Sequence, residues 1–206
     1  VEEINNGWHS TEAKSAEQAL RSGDVEALIN TWENDSYSHY RQEKSVWNLY
    51  LLAQLPREMA LTFWLRINEK KHLFAGEDYF LSILGLDTLP GLLLAFSHHP
   101  KETFPLILNF GATELALPVA RVWRRFAAQR DLARQWILQW PEHTATALIP
   151  LVFTKPSDNS EAALLALRLL YEQGHGELLQ TVANRWQRTD VWPALEQLLK
   201  LGPIEI

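Results

Sequence analysis

Residues 161–170 read Glu161-Ala162-Ala163-Leu164-Leu165-Ala166-Leu167-Arg168-Leu169-Leu170. From Ala162 onward only Arg168 is polar. A helix that is apolar nearly all round must be covered on more than one side, so neighbouring helices are expected on several of its faces. Upstream, Val119, Val122, Trp123 and Phe126 fall at i, i+3, i+4 and i+7, which gathers them on one helical face. Arg121, Arg124 and Arg125 take the opposite face. Runs of strict two-residue alternation are missing, and the only tight-hairpin pair is Asn6-Gly7. The pattern predicts an all-α chain.

The punctuation is helical as well. Thr11 precedes an amphipathic run that ends at Arg21-Ser22-Gly23, an N-cap followed by a C-terminal glycine. Pro56 and Pro141 stand where a first-turn proline opens a helix. Gly174 and Gly176 flank His175 and separate two helices. Lys155-Pro156-Ser157-Asp158-Asn159-Ser160 is the clearest loop, with Ser160 as the expected N-cap. The expected helices run over 11–22, 24–34, 43–54, 57–71, 77–85, 88–97, 101–110, 113–127, 129–139, 142–153, 160–173, 177–187 and 190–201. These are about 13 helices with short connections, which implies antiparallel neighbours. No central long helix around which a bundle would close is expected.

A weak internal repeat runs through the middle. Thr88 and Pro90 lead to Phe96, Thr103 and Pro105 to Phe110, Thr113 and Pro118 to Trp123, and Thr146 and Pro150 to Phe153. A proline beyond the first turn removes a backbone hydrogen bond and bends its helix. Pro118 and Pro150 lie 32 residues apart, near the length of one two-helix unit. The expected architecture is an α-solenoid of HEAT-like antiparallel hairpins forming one domain over 1–206. A compact helical array is the competing arrangement.

Composition removes several chemistries. The 206 residues include no Cys, so disulfides, thiolate metal sites and thiol nucleophiles are excluded. At 47% hydrophobic and 21% charged residues the chain is globular in type. The net charge of −6 resides in residues 1–103, with nine Lys+Arg against 15 Asp+Glu; residues 104–206 balance at ten each. Phosphate neutralisation supplies most of the affinity of nucleic-acid binders, and this balance argues against that class. One basic patch remains, from Arg121 through Arg130 to Arg134. No signal-peptide pattern follows Val1, and runs such as Leu89–Phe96 fall well short of the ~18 residues of a membrane span. Both ends look cut, as in a segment of a longer polypeptide, and a cytoplasmic location without membrane contact is expected.

Motif searching yields few candidates. His98-His99 followed by Glu102 is the one cluster with metal-ligand chemistry. Adjacent helical residues point about 100° apart, so a polar helix end is the plainer reading, and no metal or cofactor is expected. Glu2-Glu3 and Glu77-Asp78 are adjacent and not face-sharing, and acids in a first turn suit the helix dipole. Nucleophile-elbow, P-loop and dinucleotide signatures are absent. The nine Trp include Trp64, Trp136 and Trp140 in apolar helical register, which favours packing between helices over stacking of bases or sugars. The face of Arg121, Arg124 and Arg125 is the best binding candidate, able to present donors to an anionic partner. A solvated face is its alternative.

The last third carries a resemblance. Arg134-Gln-Trp136-Ile-Leu-Gln-Trp140-Pro141-Glu142-His143, then Ala147-Leu-Ile-Pro150-Leu, Glu161 to Leu170, Gly174-His175, and Ala194-Leu-Glu-Gln-Leu-Leu before Gly202-Pro203 appear in that order. The order resembles the helical region of the large bacterial WGR-domain proteins of the molybdate metabolism regulator (MolR) type. It covers about residues 134–204. The resemblance implies that this chain is an internal portion of a far longer protein, without its WGR module and without any catalytic residue to carry over. The function expected is therefore a non-enzymatic helical segment acting as a scaffold for a protein partner, or for other domains of its parent, within a regulatory protein. The alternatives are a nucleic-acid-binding helical repeat using the arginine face and a metal-dependent enzyme at His98, His99 and Glu102.

Overall fold

A computed structural model describes residue 18 and residues 21–34, 55–70 and 77–201. Among these residues every regular element is helical and none is a strand, so the chain is all-α. The expected helix 43–54 lies outside the described residues, as does most of 11–22. The helices cluster into two compact units, Val1–His99 and Pro100–Ile206.

The first unit holds α1 (Val25–Asn34), α2 (Arg57–Glu69), α3 (Glu77–Leu84), a 3-10 turn (Gly85–Thr88) and α4 (Leu89–His98). Asp24 starts α1 by accepting the Ala27 N–H at 2.9 Å, directly after Gly23 at φ 70°. Leu28 and Ile29 are fully buried on the side of α1 that meets α2. In turn α2 buries Met59, Ala60, Phe63, Trp64, Ile67 and Asn68, a helical period, and packs against α4. Glu77 and Asp78 occupy the first turn of α3, as the dipole favours. Gly85, at φ 61°, breaks the apolar run Glu77–His98 into two short helices. That run is long and apolar enough by composition alone to cross a membrane. At 1.5 Å per residue neither half approaches the ~30 Å of a bilayer core. Arg57 donates to the Leu84 carbonyl at 2.8 Å and ion-pairs with Asp87, which satisfies an acceptor left open by the end of α3.

The second unit holds α5 (Pro100–Ile107), α6 (Thr113–Arg125), a 3-10 turn (Ala127–Gln129), α7 (Arg130–Gln139), α8 (Pro141–Val152), α9 (Asp158–Glu172), α10 (Gly176–Asn184) and α11 (Val191–Lys200). The stretch quoted at the outset is α9. It buries Ser160, Ala162, Ala163, Leu165, Ala166, Leu167, Leu169 and Leu170, and it touches α6, α8, α10 and α11. Coverage on several sides agrees with its sequence. A fully buried leucine such as Leu167 contributes roughly 1.5–3 kcal/mol. Arg168, the one charge in the run, donates from Nε and Nη2 to the Leu198 carbonyl at 3.0 and 2.7 Å, joining α9 to the last turn of α11. The helix ends in a Schellman turn. Gly174 stands at φ 89°, its N–H bonds the Tyr171 carbonyl at 3.1 Å, and the His175 N–H returns to Leu170 at 3.0 Å.

Two details differ from the sequence expectations. The N-cap of α9 is Ser157, not Ser160. Ser157 Oγ accepts the Ser160 N–H at 3.2 Å while Ser160 Oγ accepts the Ser157 N–H at 2.8 Å, so Ser160 supplies the returning half of a capping box. Pro118 and Pro150 lie inside helices as expected, but the aromatics of the repeat take unlike environments. Phe96 and Trp123 are buried, Phe110 is half-buried, and Phe153 is exposed.

Candidate functional site

The arginine face lies at the end of α6. Leu115, Ala116, Val119, Ala120, Val122 and Trp123 form its buried side. Arg121 and Arg125 are exposed, and Arg124 keeps 29% of its side chain accessible. Phe126 departs from the expected apolar face. The helix stops at Arg125, Phe126 takes an extended backbone at φ −115° and ψ 96°, and its ring stays 47% exposed. The Arg130 Nε donates to the Trp123 carbonyl at 3.3 Å and so satisfies an acceptor at that helix end.

The capping box at Ser157 begins α9 at Asp158 and puts Asp158 and Glu161 in its first turn. Arg124 Nη1 ion-pairs with Asp158 Oδ1, Arg124 Nη2 with Glu161 Oε2, and Arg125 Nη2 with Asp158 Oδ2. The C-terminus of α6 therefore meets the N-terminus of α9, with cations at the negative helix end and carboxylates at the positive one. Partial burial pushes the Asp158 carboxyl upward, but the neighbouring Arg125, Arg124 and Arg121 guanidiniums outweigh it and hold the group below its ordinary value of 3.8. The sequence offered all three arginines as a face for an external anion, with a solvated face as the alternative. The structure engages Arg124 and Arg125 with carboxylates of the same chain, while Arg121 forms no ion pair among the described residues. Asp158 and Glu161 were missed. They stand 34 and 37 residues from Arg124, and no local pattern connects such positions.

The remaining candidates place as follows. The His98 and His99 rings stand 6.4 Å apart, edge to face, at the end of α4. Glu102 begins the other unit. Among the described residues no group of three or more His, Asp or Glu is close enough to hold a metal ion. His9, His39, His72, Glu2-Glu3, Trp8 and Trp47 lie outside the described residues, and the side chain of Trp32 does too.

The tryptophans act in packing and as tethers. Trp64, Trp123 and Trp136 are buried. Trp64 Nε1 donates to the Thr88 carbonyl at 2.9 Å, and its ring lies where a Cβ on Gly91 would stand, 2.3 Å from Nε1. Trp140 repeats the device: Nε1 donates to the Leu108 carbonyl at 3.1 Å, and its ring occupies the Cβ position of Gly111. Trp136 Nε1 is shared between the Ile107 and Phe110 carbonyls at 3.1 and 3.0 Å. Each indole bonds a backbone carbonyl distant in sequence. Trp186 is exposed.

Two surface features stand apart. An open cleft of about 200 Å³ lies between α2 and α4, lined by Leu61, Thr62, Trp64, Leu65, Pro90 and Gly91, with Asp87 from the turn before α4. Along α3 and the turn after it, Tyr79, Ile83 and Leu86 are exposed at helical spacing.

Fold and site together describe an all-α chain whose most charged cluster ties two of its own helices. Over its 206 residues the chain is 91% identical to the uncharacterized protein YehI of Escherichia coli (strain K12), and it spans 17% of that protein's length. No family model and no solved structure matches it.

Proposed function

We propose that this chain is a non-catalytic helical segment of a large bacterial, cytoplasmic protein of regulatory type, and that it serves as a scaffold for a protein partner. The observation that carries the reading is the set of large apolar side chains left exposed at helix ends, Phe126, Phe153 and Trp186, on a unit with a completed core. The titratable groups of the strongest cluster, Arg124, Arg125, Asp158 and Glu161, are occupied with one another. The 17% share of the longer E. coli relative supports a segment within a larger polypeptide. A HEAT-like stacking of hairpins and a place among the MolR-type proteins belong to the same reading. The stacking draws support from the packing of the consecutive helices α8 and α9 and from the internal Pro118 and Pro150. The coverage of α9 on several sides favours the compact alternative.

Affinity purification with the 206-residue chain as bait, followed by cross-linking and mass spectrometry, tests the scaffold. A stoichiometric protein cross-linked near the exposed apolar residues is expected. Recovery of the chain alone would count against the proposal, as would recovery with nucleic acid in place of protein.

A further inference from the structure

The ends of α6 and α8 and the start of α9 share one pole of the second unit. Arg124 and Arg125 reach Asp158, which fixes the end of α6 beside the start of α9. Phe153 closes α8 one short loop before Asp158. Phe126 and Phe153, each the residue that terminates its helix, are 47% and 46% exposed. A phenylalanine has no polar atom to justify contact with water, and the rest of the apolar face of α6 is buried.

Charge at this pole is unbalanced. Arg124 and Arg125 pair with Asp158 and Glu161, Arg121 acts on Asp158 without an ion pair, and Lys155 precedes Asp158 by three residues, so four cations stand against two carboxylates. Arg121 and Lys155 are exposed and form no ion pair among the described residues. The surplus is local, because the whole chain is at −6.

From this juxtaposition we infer that the pole formed by Arg121, Lys155, Phe126 and Phe153 docks an acidic polypeptide segment of a partner protein, one that carries a large apolar side chain close to its carboxylates. The inference rests on the scaffold reading and names the site and partner chemistry for it. Arg121 and Lys155 supply the exposed cations; the two rings supply the apolar anchor at the centre of such contacts. A protein segment fits better than nucleic acid. A phosphate backbone needs a continued basic track, and here Asp158 and Glu161 interrupt the cations and repel phosphate. The Arg124–Asp158–Arg125 bridge fixes the end of α6 and so holds Phe126 in place before binding.

The 206-residue chain is titrated by fluorescence anisotropy with a short labelled peptide alternating Glu pairs with Leu and Phe. The same peptide with Lys for Glu, one with Ser for Leu and Phe, and a single-stranded oligonucleotide serve as comparisons. Binding of the first peptide is expected to exceed all three and to weaken several-fold between ~50 and ~300 mM salt. Arg121→Ser with Lys155→Ser is expected to weaken it about tenfold. Phe126→Ser with Phe153→Ser is expected to act similarly; because these two residues are only 47% and 46% exposed, the melt of each variant is recorded and binding is compared at a temperature where every chain is folded. Equal binding of the Lys peptide, unchanged binding by both variants, or tighter binding of the oligonucleotide overturns the inference. So does a wild-type chain that self-associates through this pole, shown by a dimer in sedimentation that Arg121→Ser with Lys155→Ser dissolves. If the purified partner is retained by the Arg121→Ser, Lys155→Ser chain, this site is wrong and the scaffold stands. If no partner is captured by the wild-type chain, the scaffold reading itself fails.

Discussion

Gly91→Ala should destabilise the first unit, although the same change in an ordinary helix stabilises. Gly91 lies in the first turn of α4 with a helical backbone, where alanine lowers the entropy of the unfolded chain and gains about 0.5–1 kcal/mol. The structure reverses the sign. A Cβ at Gly91 would stand 2.3 Å from Trp64 Nε1 and 2.4 Å from Cδ1, inside van der Waals contact with a rigid ring. Trp64 is 1% exposed and its ring centroid lies 5.2 Å from that of Phe80, so a shift of the ring disturbs a packed neighbour. Overpacking of this kind costs about 1–3 kcal/mol. If the ring moves, its buried hydrogen bond to the Thr88 carbonyl is strained as well, at a further 1–3 kcal/mol or so. The net expectation is a loss of about 1–5 kcal/mol. Urea unfolding followed by circular dichroism, with Trp64→Phe, Gly91→Ala and the double variant in one cycle, measures it. A smaller ring leaves space for the methyl, so Gly91→Ala should be neutral or stabilising in the Trp64→Phe background. A Gly91→Ala chain as stable as the parent, or additive effects in the cycle, would refute the packing argument.

Three further outcomes concern the second unit. Ser157→Ala removes the acceptor of the Ser160 N–H and should cost about 0.5–2 kcal/mol in denaturant unfolding, with Ser157→Thr restoring most of it. Asp158 has a lowered carboxyl pKa, so its pairing stabilises the fold above its ordinary value of 3.8 and is lost as pH falls through the lower folded value. Asp158→Asn should therefore lower stability at neutral pH and flatten its decline in that acidic window; an unchanged acid limb in a pH series of melts would contradict the pairing. Trp136→Phe leaves the Ile107 and Phe110 carbonyls without their shared donor and should destabilise by about 1–3 kcal/mol, read by thermal melting.

The helices were legible because burial imposes a 3.6-residue period over many residues. Those expected at 113–127, 129–139 and 142–153 are found at Thr113–Arg125, Arg130–Gln139 and Pro141–Val152. Their ends were less legible, since one residue decides them. Phe126 keeps the apolar register of α6, yet a single extended backbone conformation takes it off the buried face and into solvent. Ser160 looked like the cap because an apolar run follows it. Ser157 takes that role because its backbone is extended, at φ −159° and ψ 164°, a conformation that composition does not specify.

Long-range partners were not legible at all, and they change what the residues mean. Gly91 and Gly111 read as ordinary glycines until Trp64 and Trp140 arrive from 27 and 29 residues away to fill their missing side chains. In both cases the indole N–H bonds the carbonyl three residues before the glycine, Thr88 or Leu108. That regularity lies in three dimensions and leaves no spacing in the sequence. The arginines follow the same logic. By periodicity Arg121, Arg124 and Arg125 share one solvent face and are equivalent. The fold separates them, because the start of α9 brings Asp158 and Glu161 to two of the three. What a partner could meet is set by the charge left after internal pairing, and at this pole that charge resides on Arg121 and Lys155, beside the two phenylalanines that the ends of α6 and α8 leave in water.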